Sequence, residues 1–155
     1  MHRTHRQTRH LNTPCSVSVR LVPPEYTAAT WPEIAPLVKR MLRRGRGELT
    51  ASDVFDRLAK GTLDLWVGQR DGKTVACMIC ETVNYPRLRA YRVFGFAADS
   101  LKFWLQYFYI LEDHARSLGC ECLEEWGTRA WERKLPGWTR AIIVMRKPLH
   151  EQSHR

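Results

Sequence analysis

No run of apolar residues in this 155-residue chain approaches the roughly 20 that a membrane-spanning helix needs, so the sequence excludes bilayer insertion and leaves only surface association open. Its five cysteines are odd in number and scattered through strand-like stretches, which is not the pattern of a secreted disulfide scaffold and points to a reducing cytoplasm. Cys77 and Cys80, with Cys120 and Cys122, offer four thiolates. Cys77 and Cys80, however, stand three apart in a strand and face opposite sides, so buried thiols are expected and no metal site is assigned. Acidic residues are scarce, and 16 Asp and Glu against 25 Lys and Arg leave a net charge of +9. Such a charge draws nucleic acid, anionic membrane faces, phosphorylated cofactors or acidic proteins without choosing among them. Zinc-finger spacing, a helix-turn-helix pattern and a paired stacking motif are all missing, which makes nucleic acid the less favoured partner.

Part of the positive charge is local. His2, Arg3, His5, Arg6, Arg9 and His10 form a basic tail over residues 1–13, too poor in Leu and Val to serve as a secretory signal. Residues 14–150 read as one domain, with 44% hydrophobic content and six Trp to fill its core, and residues 151–155 as a polar tail. Lys39, Arg40, Arg43, Arg44 and Arg46 close the first helical pattern, where they favour the negative end of the helix dipole.

Residues 16–22 alternate as a strand ended by Pro23 and Pro24, and a helix follows with Pro32 near its first turn and Pro36 as a kink or late start. Thr50 or Ser52 caps a second helix stopped by Gly61. Residues 63–69 and 73–83 pair as a hairpin around Asp71 and Gly72, and Asn84, Tyr85 and Pro86 turn the chain into a third antiparallel strand over 88–96. Leu101, Trp104, Leu105, Phe108, Leu111, Ala115 and Leu118 make one stripe on a long helix, capped by Asp99 or Ser100 and ended by Gly119. Next come an acidic strand, CECLEE, a short helical segment over 128–135 and a final strand, TRAIIVMRKPL, with a buried centre.

This order resembles the GNAT acyltransferase superfamily over roughly residues 14–150. The local cues are Ala115, Arg116 and Gly119 before the acidic strand, Gly127, Arg129 and Trp131 after it, and Gly137 with Trp138 before the last strand. The ending is similar to small GNAT-like proteins of bacteriophages and prophages. The resemblance implies an α/β (α+β) fold with a mixed, mostly antiparallel sheet flanked by helices, and acetyl coenzyme A in a wedge between the fourth and fifth strands. It places pantetheine contacts on Val93, Phe94 and Gly95, and pyrophosphate contacts on Phe96, Ala97, Ala98 and Ser100 with Asp99 at the helix start. The expected glycine-rich phosphate signature is absent there, and Asp99 puts a carboxylate where a dianion would sit.

Acyl transfer needs a base for the amine and an acid for the leaving thiolate. Glu81, Glu124 and Glu125 are the candidate bases, and Tyr85 and Tyr91 the candidate acids if the fold brings them across the wedge, since no Tyr follows the acidic strand. Arg129 and Arg133, four apart, with Trp131 beside them, are candidates for holding a partner or an anion. Three readings follow: acetyl transfer from acetyl coenzyme A to a primary amine on a small molecule or protein; an inactive GNAT-fold protein binding a phage structural or host protein, in the host cytoplasm or the virion; and a nucleic-acid-associated basic protein.

Overall fold

A computed structural model of the chain describes residues 15–45, 47–127, 129–142 and 145–147, without the side chains of Arg129 and Ala130. The tails expected at 1–13 and 151–155 lie outside the described residues.

Five strands form one sheet in sequence order: β1 (Val17–Val22), β2 (Asp64–Arg70), β3 (Lys73–Tyr85), β4 (Leu88–Ala98) and β5 (Cys122–Glu125). The first four pair antiparallel, while β5 runs parallel to β4. This is the mixed, mostly antiparallel sheet that the sequence resemblance implied. Asp71 and Gly72 both take positive φ, 49° and 77°, in the two-residue β2–β3 turn that the sequence placed there. The β3–β4 turn is tighter than expected. Asn84 and Tyr85 remain in β3 and pair with Arg89 and Leu88, leaving only Pro86 and Arg87 to turn.

Helices α1 (Thr27–Leu42) and α2 (Ala51–Ala59) cover one face, where Ile34, Val38, Val54 and Leu58 pack on Leu65, Val67, Cys77, Ile79 and Ala97. Helix α1 begins at Thr27, earlier than a helix with Pro32 in its first turn would, behind a short 3-10 turn at Pro24–Tyr26. It carries Pro32 and Pro36 because both lie on its exposed side, where the carbonyls they leave unbonded face water. Thr50 caps α2 in a reciprocal pair with Asp53, as the sequence indicated.

The opposite face is covered by α3 (Leu101–Leu105) and α4 (Phe108–Ser117), with Phe108, Leu111 and Ala115 on Trp66, Met78, Cys80, Tyr91 and Val93. One continuous helix was expected. The side-chain amide of Gln106 instead donates to the Phe103 carbonyl, the Tyr107 amide turns to the Trp104 carbonyl, and the ladder breaks there. Gly119 ends α4 with φ 73°. The short helix α5 (Arg129–Glu132) brings Trp131 and Leu135 onto the α4 face, and Thr128 lies outside the described residues.

The described residues of 139–147 form no strand, and Ile142 and Met145 are 67% and 89% exposed, while Ile143 and Val144, at the centre of the expected strand, lie outside the described residues. Two ion pairs hold the segment elsewhere. Arg140 grips Glu132 at 2.5 and 2.7 Å, and Arg146 bonds to Glu48 in the α1–α2 connection.

Candidate functional site

Strands β4 and β5 pair only from Ala90 and Cys122 to Val93 and Glu125. Beyond that point β4 runs on to Ala98 while β5 gives way to Trp126 and Gly127, so the two strands open into a wedge. A register shift opposite Ile79 and Cys80 bulges β4 at Phe94, and Phe94 and Gly95 both meet the α1 face while Phe96 meets the α4 face. The Asp99 amide bonds to the Val75 carbonyl, so strand alternation turns the peptide groups of Phe96 and Ala98 toward the open edge. Arg40 of α1 already takes the Ala98 carbonyl at 2.7 Å. Met41 lies so close over Gly95 that any Cβ there would strike its Sδ. Across the wedge, the Trp131 ring stands 6.3 Å from that of Phe96, edge to face.

The far end of the wedge tests whether coenzyme A fits. Ser100 caps α3 by accepting the Phe103 amide at 3.3 Å. Asp99 accepts the Ser100 amide at 2.8 Å and the Trp104 indole N–H at 2.8 Å, and pairs with Arg70 at 2.7 Å. Partial burial raises the Asp99 carboxyl, but the bonds from Trp104, Ser100 and Arg70 together hold it below the ordinary carboxylate value. A pyrophosphate needs open amides and a positive helix end. Here a fixed carboxylate holds that end, no glycine widens residues 96–100, and α3 is five residues long. The free edge of β4 suits an extended amide chain, but the residues beyond it do not fit a pyrophosphate.

On the α1 face the register lines up Glu81, Arg92 and Glu124 across β3, β4 and β5. Arg92 is 9% exposed and donates to Glu81 at 3.2 Å and to the Tyr85 hydroxyl at 2.9 Å, with Glu124 3.5 Å away. Tyr85 donates in turn to the Glu124 carboxylate at 2.9 and 3.0 Å, and Arg57 of α2 reaches Glu81 at 3.1 Å. The Trp126 ring lies 4.1 Å over the Arg92 guanidinium, whose Nε is buried with no partner among the described residues. Glu81 and Glu124 are thereby held to cations and a hydroxyl.

Glu125 is different. It shares the α4 face with Leu123, follows Val93 and Cys80 in the register row, and stands where β4 and β5 part. Burial pushes its carboxyl up to about 8, because the charged form loses water and gains no partner among the described residues. Beside it, Tyr91 is wholly buried, donating to Asp64 at 2.8 Å and accepting from the Trp66 indole at 2.9 Å. His114 stacks edge-on against both rings, 4.0 Å from Asp64. Desolvation drives the Tyr91 hydroxyl and the Cys80 thiol well above their ordinary values, so neither ionises near neutrality.

The sequence-predicted residues thus separate. Tyr85 and Glu124 come together with Glu81 on one face, Glu125 lies on the other, and Val93, Phe94, Gly95, Phe96, Ala97, Ala98 and Ser100 follow the wedge edge in order. Trp131 packs against Phe96, Arg133 is exposed, and the Arg129 side chain lies outside the described residues. Sequence reasoning passed over Arg92, Asp64 and Arg70, and read Arg40 only as part of the basic end of the first helix. An arginine amid YRVFGF, in register with Glu81 and Glu124, was the signal for the first; the other three depend on packing between distant elements.

No protein-family model and no curated protein matches this chain. Solved structures do. An aminoglycoside N-acetyltransferase, AAC(6')-Iy, in complex with coenzyme A is 12% identical, with a TM-score of 0.65 covering 88% of this chain and 98% of that one. A ribosomal-protein-alanine N-acetyltransferase from Brucella melitensis is 18% identical, TM-score 0.57, covering 84% and 99%. Glucosamine-6-phosphate N-acetyltransferase from Arabidopsis thaliana is also 18% identical, TM-score 0.59, covering 87% and 99%. These structures show the fold and lend nothing to its narrower phage form: the chain has the GNAT acetyltransferase fold.

Proposed function

We propose that this chain uses the GNAT fold to bind a partner protein and not to transfer an acetyl group from coenzyme A. The observation that carries this reading is the Asp99 carboxylate at the head of α3, saturated by Ser100, Trp104 and Arg70 where a pyrophosphate would need open amides. The ion-paired state of Glu81 and Glu124 supports it, as does the lack of a Tyr in α5. Exposed Trp126 and Tyr109 are aromatic contact points for such a partner. Its narrower form, a virion or host-cell protein as partner, rests on the sequence resemblance of residues 119–149 to phage proteins. A ligand present at one hundred times its Kd adds about 2.7 kcal/mol to stability. Saturating acetyl coenzyme A is therefore expected to leave the melting temperature unchanged, and a rise of several degrees overturns the reading.

A second reading, acetyl transfer to a primary amine, is favoured by Glu125. Its carboxyl, at the head of the wedge and without a partner among the described residues, is the group suited to exchange a proton with an amine near neutrality. Nucleic-acid binding is third, and steeply salt-dependent association would favour it.

A further inference from the structure

β4 outlasts its pairing with β5 by five residues, Phe94 to Ala98, a free edge of roughly 17 Å. The opposite edge of the same stretch is paired with β3 as far as Ala76 and Ala98, which holds the backbone extended and keeps the outward peptide groups of Phe96 and Ala98 in strand geometry. An unpaired edge held in this way is a template for one more strand.

The two faces of the edge select the strand that fits. On the α4 face the Trp131 ring stands 6.3 Å from that of Phe96, so a residue added opposite Phe96 must be small. On the α1 face Trp126, 51% exposed, lies at the inner end and Arg40 at the outer end. Arg40 gives one N–H to the neutral Ala98 carbonyl, which leaves its charge uncompensated and its other donors open to a carboxylate. Among the described residues no carboxylate meets it. Arg43 and Arg44, three and four positions on, are exposed on the same side of the helix. Asp99, next to Ala98 in sequence, is taken up by Trp104 and Arg70 on the α3 side.

We infer that the free edge of β4 takes an extended, acidic segment of the partner protein as an added strand, with a carboxylate side chain on Arg40 and a glycine or alanine opposite Phe96. Main-chain bonds to Phe96 and Ala98 set the register, and Arg40 with Arg43 and Arg44 selects for negative charge. The inference rests on the partner-binding reading above and narrows it to one edge and one kind of segment.

The test pans a library of random octapeptides on the immobilised full-length protein, then follows the enriched peptide, fluorescein-labelled, by anisotropy and by hydrogen exchange. Peptides with Asp or Glu next to Gly or Ala are expected to enrich, and their binding to slow exchange at the Phe96 and Ala98 amides. Arg40→Glu is expected to weaken binding at least ~10-fold. Its melting temperature should stay within ~2 °C of wild type, because Arg40 is exposed. Arg20→Glu makes the same change of charge at an exposed position of β1, the far edge of the sheet, and is expected to leave binding unchanged. The inference is overturned by no enrichment, by enrichment without acidic residues, by unchanged exchange at those two amides, or by equal weakening from both substitutions. Any of these with acetyl coenzyme A still unbound leaves the partner-binding reading standing, whereas cofactor binding strikes that reading and the inference with it.

Discussion

Replacing Glu125→Gln is expected to stabilise the protein, and to do so more as the pH rises. The folded chain keeps Glu125 protonated up to about pH 8, whereas the unfolded chain releases that proton near the ordinary value of 4.5. Between those values the folded state binds one more proton than the unfolded state, so wild-type stability falls by about 1.4 kcal/mol per pH unit. The contribution is whole below about 4.5 and is lost as the pH climbs through 8. Over the roughly 2.5 units to neutrality this amounts to about 3 kcal/mol, which is large against the 5–15 kcal/mol of a typical domain. Gln keeps the shape and cannot ionise. Urea unfolding of both proteins, monomeric and followed by circular dichroism from about pH 5 to about pH 9, reads the difference directly. The two curves should converge at the acid end and separate by about 1 kcal/mol or more per unit until they run parallel above pH 8. A difference independent of pH, or one that shrinks as pH rises, would refute a desolvated carboxyl at the wedge.

Arg92→Met strips the shared cation from Glu81 and Glu124. Because Arg57 and Tyr85 remain to each, the loss should fall near the low end of the buried-pair range, about 3 kcal/mol. For a chain of this size that lowers the melting temperature by about 6–12 °C in a calorimetric scan, and a shift below ~2 °C contradicts the row. Tyr91→Phe leaves the Trp66 indole N–H without its acceptor and is expected to cost about 1–3 kcal/mol in urea titrations; no measurable loss would show the Asp64–Tyr91–Trp66 chain to be dispensable. Gly95→Val should cost about 1–3 kcal/mol through collision with Met41, and Met41→Ala should relieve part of it. Strict additivity of the two substitutions in a double-mutant cycle would place Met41 elsewhere.

The sequence made the sheet and its wedge legible because strand alternation, the Asp71–Gly72 turn and the Thr50 cap are local signals. It misplaced the start of α1 because Pro32 and Pro36 look like breakers until they are known to lie on the solvent side, and it joined α3 to α4 because apolar spacing does not report a side chain competing for the Phe103 carbonyl. TRAIIVMRKPL was read as a final strand with a buried centre from its apolar run, but burial depends on what a run packs against, and its described residues Ile142 and Met145 are exposed beside Arg140 and Arg146, which pair with Glu132 and Glu48. Within the site, the missing glycines and the charge of Asp99 were readable one residue at a time. That Arg70 and Trp104 fix this charge was not, since Arg70 reaches it from β2, 29 positions away. The same distance effect hid the Glu81–Arg92–Glu124 row, which needs the register of three strands before it becomes a single feature.

Calorimetric titration of the folded protein with acetyl coenzyme A and desulfo coenzyme A, at low and moderate salt, tests the central claim most directly. With Asp99 holding the head of α3, no saturable heat is expected that survives moderate salt. Saturable binding of one cofactor per chain under those conditions would contradict the account and restore the wedge as a cofactor site.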